Sequence, residues 1–346
     1  MMRLALALSC IFLLGTSCAV PARPVVPVNP TQGYVWQRHP FHGAKLFLDP
    51  DSAGAHWQSS NGATWLEPIT TTPQAIWLTS EWDLVRLPEL VRQAKEQDAL
   101  LVAVTYFIPN RDCGGHGADT DSHYLSWIDR VVEALGPTPA AVIMEPDAVP
   151  ADCFTPSRAE LLRRGVEKLT DGGHYVYLDA GHPRWLSTAE AARRLLASGI
   201  QHANGFSLNV ANRQPTESNQ RYGLELSNLV GDREFVIDTS RNGLGPPPDD
   251  PYREDEWCNP QQQALGDDPT TLPLPMRTAA LLWIKRPGES DGPCRGETGF
   301  DFSPVQARNL ILGTLRLPSP LREAARSAEV SLPSPAPTRR KPDPTG

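Results

Sequence analysis

The chain reads as an α/β protein, a distorted (β/α) barrel of about seven parallel strands. Three observations predict it. Short, continuous apolar runs such as Leu100–Phe107 and Ala141–Met144 alternate with amphipathic stretches of helical period; strands buried on both faces read as such runs. The runs end in polar chemistry, Asp112 after the first and Glu145 with Asp147 after the second, and parallel strands in a barrel deliver the residues at their C-terminal ends to one mouth. No Gly-x-Gly-x-x-Gly follows a strand and no P-loop occurs, which sets aside the nucleotide-binding sheets.

In chain order, Met1–Ala22 has a signal-segment pattern: Arg3, an apolar run Leu4–Leu14, then small residues up to Ala19. The expected fate is secretion, with Cys18 as an alternative lipid-anchor position. Residues 23–32 form a Pro-rich linker, and 33–317 a single folded domain. A short strand over Lys45–Leu48 opens the domain, and a helix follows from near Ser52. Strands are expected at Gln74–Leu78, Leu100–Phe107, Ala141–Met144, Tyr175–Leu178, Gly205–Val210, Glu234–Ile237 and Ala280–Lys285. Helices are expected at Asp83–Lys95, Ser122–Leu135 with Ser122 as its cap, Pro156–Leu169, Ser187–Ser198, Thr216–Leu229 and Pro304–Leu315. Ser187 with Glu190 makes a capping box. From Pro318 the chain is Pro-rich and short of large apolar residues, so 318–346 is expected to be a Pro-rich disordered tail, with disorder setting in from about Val330.

The 346 residues carry a net charge of −8, with 40% hydrophobic and 21% charged residues. That suits a soluble globular protein and offers no basic patch for nucleic acid. Of the six cysteines, four lie beyond the signal segment: Cys113, Cys153, Cys258 and Cys294. An even number in an exported chain favours disulfides. Three pairings are open, and joining 113 to 153 and 258 to 294 closes two local loops. No Cys/His spacing of zinc type is present.

The strand ends assemble a set: Trp77; Tyr106 and Asp112; Glu145 and Asp147; Asp179 and His182; Asn209 and Asn212; Asp238 and Arg241; Lys285, Glu289 and Asp291. Singly, each has a plain structural role available. Together, carboxylates flanked by tryptophans suit acid/base hydrolysis of a sugar, whose CH faces stack on indole and whose hydroxyls bond Asp, Asn, Lys and Arg.

The segments YFIPNRDC, IMEPDAV, YLDAGHPRWL, FSLNVAN, IDTSRNG, WCNP and LLWIKRPGESDG resemble glycoside hydrolase family six, the inverting cellulases, in order from about Pro40 to Leu317. The resemblance implies a distorted barrel with a cellulose-like β-1,4-glucan as substrate and no cofactor or metal. It implies Asp147 as general acid, Asp112 as the acid that raises its pKa and positions water, and Tyr106 as the residue pressing on the distorted sugar. Asp291 matches the proposed base. Asp179, His182, Asn212, Lys285 and Glu289 match substrate contacts, and Trp77, Trp185 and Trp257 match sugar platforms. Cys113–Cys153 and Cys258–Cys294 match the family's two disulfides. One departure concerns the loop after Arg111-Asp112-Cys113. The family usually has a serine there that holds the attacking water; Thr120 and Ser122 are the candidates in this loop. Only five residues separate Asp147 from Cys153, and Cys294 follows closely on Gly292. Loops this short leave the cleft open, so the expected action is endo, with exo action and non-catalytic glycan binding as the alternatives. No protein partner is implied, and a monomer is expected.

Overall fold

The computed structural model describes residues 40–248, 257–297, 299 and 301–330. The expected signal segment, the linker and the chain beyond 330 lie outside the described residues.

Seven strands form one parallel sheet in sequence order: β1 (Ile76–Leu78), β2 (Val102–Thr105), β3 (Ala141–Met144), β4 (Tyr175–Asp179), β5 (Gly205–Leu208), β6 (Glu234–Asp238) and β7 (Thr278–Leu282). The sheet curls so that its ends approach. Ala75 N donates to Trp283 O at 3.0 Å, and the Trp77 indole donates to Ile284 O at 2.8 Å. The barrel is therefore drawn together at the seam without a strand ladder.

The helices are α1 (Ala53–Asn61), α2 (Glu67–Thr70), α3 (Asp83–Glu96), α4 (Asp121–Leu135), α5 (Pro156–Asp171), α6 (Thr188–Ala197), α7 (Thr216–Leu229), α8 (Pro304–Gly313) and α9 (Ser319–Ser327). Strand alternation divides the core in two. Val102, Val104, Ala141, Ile143, Tyr177, Val236, Ala280 and Leu282 fill the barrel. Ala103, Val142, Met144, Val176, Leu178, Phe206 and Phe235 face outward against helix residues such as Trp127, Ile128, Leu162, Leu195 and Leu226. Removing the side chain of a fully buried residue such as Ile143 would cost about 2–5 kcal/mol through lost transfer energy and the cavity left behind. Gly205 lies opposite Glu234 in the ladder. A Cβ there would sit 2.0 Å from Glu234 O, so only glycine lets the two strands pair at that point.

Three expectations need adjustment. Lys45–Leu48 forms an isolated bridge, Leu46 to Leu100, and no strand. Helix α4 is capped by Thr120, whose hydroxyl accepts from His123 N at 3.1 Å, and Ser122 lies inside it. The tail expected from Pro318 begins with an ordered helix: Pro318 and Pro320 stand at the start of α9, where a missing N–H costs nothing. Ala325 is fully buried, and Arg308 donates to Ala325 O and Arg326 O.

Candidate active site

The C-terminal rim of the barrel is stitched by buried side chains, each at the end of a strand and bonded to the exit of a neighbour. Glu145, just after β3, accepts from Phe107 N and Ile108 N at 3.0 Å each, on the exit of β2. Asp179, the last residue of β4, accepts from Asp147 N at 2.9 Å. Its other oxygen takes the Ser207 hydroxyl at 3.1 Å. Asp238, the last residue of β6, accepts from Ala211 N at 3.0 Å and from Lys285 N at 2.9 Å. Asn209 donates to Asp238 O at 2.9 Å. Apolar strands cannot fix the path of the loops that leave them; these groups do, because an unmatched buried polar atom costs about 1–3 kcal/mol.

The backbone at this rim is unusual. Asp112 (φ 60°), Glu145 (φ 49°) and Asp147 (φ 69°) all occupy the left-handed region, which costs a non-glycine residue energy and concentrates at working sites. Downstream of Asp112 the chain turns back at once: Arg111 N donates to His116 O at 2.9 Å. Gly117 comes next with φ +89°, and a Cβ there would lie 2.0 Å from Ile108 O. The disulfide Cys113–Cys153 (Cα–Cα 5.7 Å) ties this loop to the one after Asp147.

Asp147 is half-buried at the mouth. Burial raises its pKa, the nearby charges of Asp179 and Asp112 raise it further, and Lys285 opposes them. The carboxyl is thus held in its protonated form into the neutral range, as a proton donor requires. Tyr106 donates its hydroxyl to Asp112 Oδ1. Arg111 lies with its guanidinium carbon 4.3 Å from the Tyr106 ring centroid and its Nε 3.3 Å from Asp112 Oδ2. Tyr106 in turn meets Trp77 edge to face at 5.3 Å.

Asp291 sits in a different environment. Its carboxylate is held by Arg241 Nη1 at 2.7 Å and Arg213 Nη2 at 3.3 Å. Asn259 N adds a bond at 3.0 Å. Burial alone would raise its pKa, but the two arginines and Lys285 hold it well below the ordinary carboxylate range. Asp291 therefore stays ionised, and its own basicity is weak. Near it, Cys258–Cys294 (Cα–Cα 6.3 Å) joins the loop of Trp257 to the loop of Asp291.

The structure places the expected residues unevenly. Asp112, Asp147, Tyr106, Trp77 and Lys285 come together: Lys285 Nζ is 5.6 Å from the Trp77 ring centroid. Glu289 pairs with Lys285 at 3.1 Å and Arg286 at 2.7 Å; burial opposes the charge, and the two cations pull its pKa down to about 2. His182, whose pKa burial and Arg184 lower to about 4, presents a neutral imidazole 5.5 Å from the ring of Trp185. Trp185 and Trp257 are exposed at 39% and 59%, as a stacking surface must be. Asn212 uses its side-chain oxygen on Arg213 N at 2.8 Å. Asp179, matched to a substrate contact, is fully buried, with both oxygens on protein groups; the structure makes it the support beneath Asp147. Thr120 Oγ1 is taken by the α4 cap. Three residues to which the resemblance assigns no role hold the site: Glu145, Arg213 and Arg241. Glu145 and Arg241 were visible as polar residues ending strands; Arg213 carried no signal of its own. Among the described residues no group of His, Cys, Asp or Glu could hold a metal ion.

Comparison with known proteins agrees with this geometry. Endoglucanase A of Cellulomonas fimi is 38% identical over 263 residues, covering 72% of this chain and 57% of that enzyme. Endoglucanase 1 of Streptomyces halstedii is 35% identical, covering 90% and 98%. An endoglucanase structure from Mycobacterium tuberculosis, in complex with methyl-cellobiosyl-4-deoxy-4-thio-β-D-cellobioside, superposes with a TM-score of 0.74 at 41% identity, over 79% of this chain and 98% of that one. The sequence profile of glycosyl hydrolases family 6 matches residues 42–310. With a profile spanning most of its length and a seven-stranded parallel barrel beneath the matched motifs, the chain belongs to glycosyl hydrolases family 6.

Proposed function

We propose that the protein is a secreted, monomeric endoglucanase that hydrolyses internal β-1,4-glucosidic bonds of a cellulose-like glucan with inversion. The observation that carries this reading is the contrast between two carboxyls at one mouth: Asp147 kept protonated, Asp291 kept ionised. An inverting glycosidase needs a proton for the leaving oxygen and a proton-accepting route for water on the opposite face, with carboxyls about 6.5–9.5 Å apart.

In this reading Asp147 protonates the glycosidic oxygen. Asp112 raises the pKa of Asp147 and, with Tyr106, orients the reacting sugar and water. Asp291 is the candidate base; its ion pairs make it a poor direct acceptor, so a water relay ending in its field suits it better. Trp77, Trp185 and Trp257 act as platforms, with His182, Asn212, Lys285 and Glu289 bonding hydroxyls. No cofactor is invoked. Secretion is supported by the signal pattern together with two disulfides. Endo action is supported by the short loops: α5 starts at Pro156, close behind Asp147, and α8 at Pro304. The relatives named endoglucanases point the same way.

The test is carboxymethyl cellulose viscosity plotted against reducing ends released. A steep fall at low bond cleavage is expected. A slow fall with cellobiose as almost the sole early product would mean exo action, and no cleavage by a folded protein would leave glycan binding.

A further inference from the structure

Next to the candidate cleft, with Trp77 in its wall, lies a cavity of about 300 Å³ that none of the expected site residues other than Trp77 lines. Its walls include Trp77, Trp82, Gln74, Asp49, Arg86 and Arg286. The volume lies at the lower end of the small-molecule range.

Trp82 is 71% exposed, yet the turn that carries it is held from every side. Asp83 accepts from Thr79 N at 2.7 Å and from the Thr79 and Ser80 hydroxyls at 3.0 Å each. Glu81 is bound by Arg130 at 2.5 Å and His123 at 2.9 Å. The Trp127 indole donates to Ser80 O at 3.3 Å. Thr79, Ser80, Glu81 and Asp83 are thus spent on fixing the backbone, and the one large apolar side chain in the turn faces water. Leaving an indole in water forgoes burial energy, and holding the turn that carries it pre-organises where it can meet a ligand.

The chemistry around it narrows the ligand. Two acids, Asp49 and Asp83, and two arginines, Arg86 and Arg286, line the cavity, with Asp49 and Arg86 paired at 2.6 Å, so the walls offer hydrogen-bonding groups without a net charge of either sign to attract an ion. Two indoles supply flat apolar faces. Neutral, polyhydroxylated and flat-faced describes a β-linked glucosyl unit. Trp77 belongs to both places: its ring meets Tyr106 edge to face in the candidate cleft, and it lines the cavity.

We propose that Trp82 and this cavity form an additional glucosyl-binding subsite that lengthens the cleft beyond Trp77. It rests on the reading of the cleft as a β-1,4-glucan site. A longer cleft suits internal cleavage, because a chain running past Trp77 is then gripped and not merely tolerated.

The experiment compares kcat/KM on cellohexaose with that on cellotriose for the wild type, Trp82→Ala and Trp82→Phe. Trp82→Ala should lower the hexaose-to-triose ratio about tenfold, the scale of a lost aromatic platform, and Trp82→Phe should restore most of it. In parallel, calorimetry on Asp147→Asn with and without Trp82→Ala should show weaker cellohexaose binding in the double variant. An unchanged ratio, or equal loss on both substrates, would overturn the subsite. If the wild type cleaves neither oligosaccharide, the proposed function falls, and the calorimetric comparison alone then judges the subsite.

Discussion

Glu145→Gln isolates the energetic cost of one rim staple. Glu145 is fully buried; one oxygen takes two backbone donors, and Oε1 has no hydrogen-bond partner among the described residues. Burial pushes its pKa from 4.5 up to about 7, against the pull of the Ile108 and Phe107 amides and the flanking Tyr124 and Thr105 hydroxyls. That shift corresponds to about 3 kcal/mol between the two protonation states. The sign comes from proton counts. Between pH 4.5 and 7 the folded state keeps a proton that the unfolded state releases, so this stability is fully present below 4.5 and is lost as pH rises through 7. Glutamine keeps an oxygen for the two amides and cannot ionise. Denaturant unfolding of wild type and variant at pH 5 and pH 8 cancels every other titrating group in the difference. The variant should gain about 2.5 kcal/mol relative to wild type between the two pH values. Parallel stability curves would show that Glu145 does not titrate in this range, and the account of the rim would be wrong. Glu145→Ala, by contrast, leaves the Phe107 and Ile108 amides unpaired and frees the segment carrying Tyr106 and Asp112, so kcat should fall while KM moves less.

The same geometry sets further outcomes. Asp147→Ala should lose roughly 10²–10⁴-fold on β-1,4-glucan, the usual scale of general acid catalysis, and much less on a substrate whose leaving group needs no proton; equal loss on both would remove the acid role. Because burial and neighbouring carboxylates raise the Asp147 pKa, activity should persist into the neutral range and fall as pH rises through that raised value, which a kcat/KM profile checks. Proton NMR of the first product should show the α-anomer, and a β-anomer would rule out inversion. Arg241→Met should destabilise the fold by about 3–5 kcal/mol, since it strips a partner from a buried carboxylate; a change under 1 kcal/mol in urea would contradict the ion-pair reading. Reducing Cys258–Cys294 should cost about 2–4 kcal/mol and depress activity, because that bridge also holds the loop of Asp291.

Much of the fold is legible in the order of the residues, for a physical reason. A parallel strand buried on both faces must be a short unbroken apolar run, so β3 lies at Ala141–Met144 as expected. The helices between strands must be amphipathic, and α7 matches its expected span of Thr216–Leu229. Polar residues directly after such strands had to share one end of the barrel, which placed Asp112, Asp147 and Asp291 before any geometry was known. The motifs narrowed this to one family, and the disulfide pairing came with it.

What the sequence could not decide depends on groups distant along the chain. The expected strand Ala280–Lys285 ends early, at Leu282, because Ile284 N and Lys285 N bond to Asp238 at 3.2 and 2.9 Å and leave the ladder. The same residue types then divided by burial. Asp179 and Asp147 are both acids that end strands, yet Asp179 is fully buried beneath Asp147 and bonded to its amide. Asp291 resembles Asp147 in sequence, yet two arginines, one of them 78 positions away, hold it ionised while burial and two carboxylates keep Asp147 protonated. Residue type and order settled which side chains gather at the C-terminal end of the strands. Solvent exclusion and charge proximity, which exist only once the barrel closes, settled which of them can give a proton and which cannot.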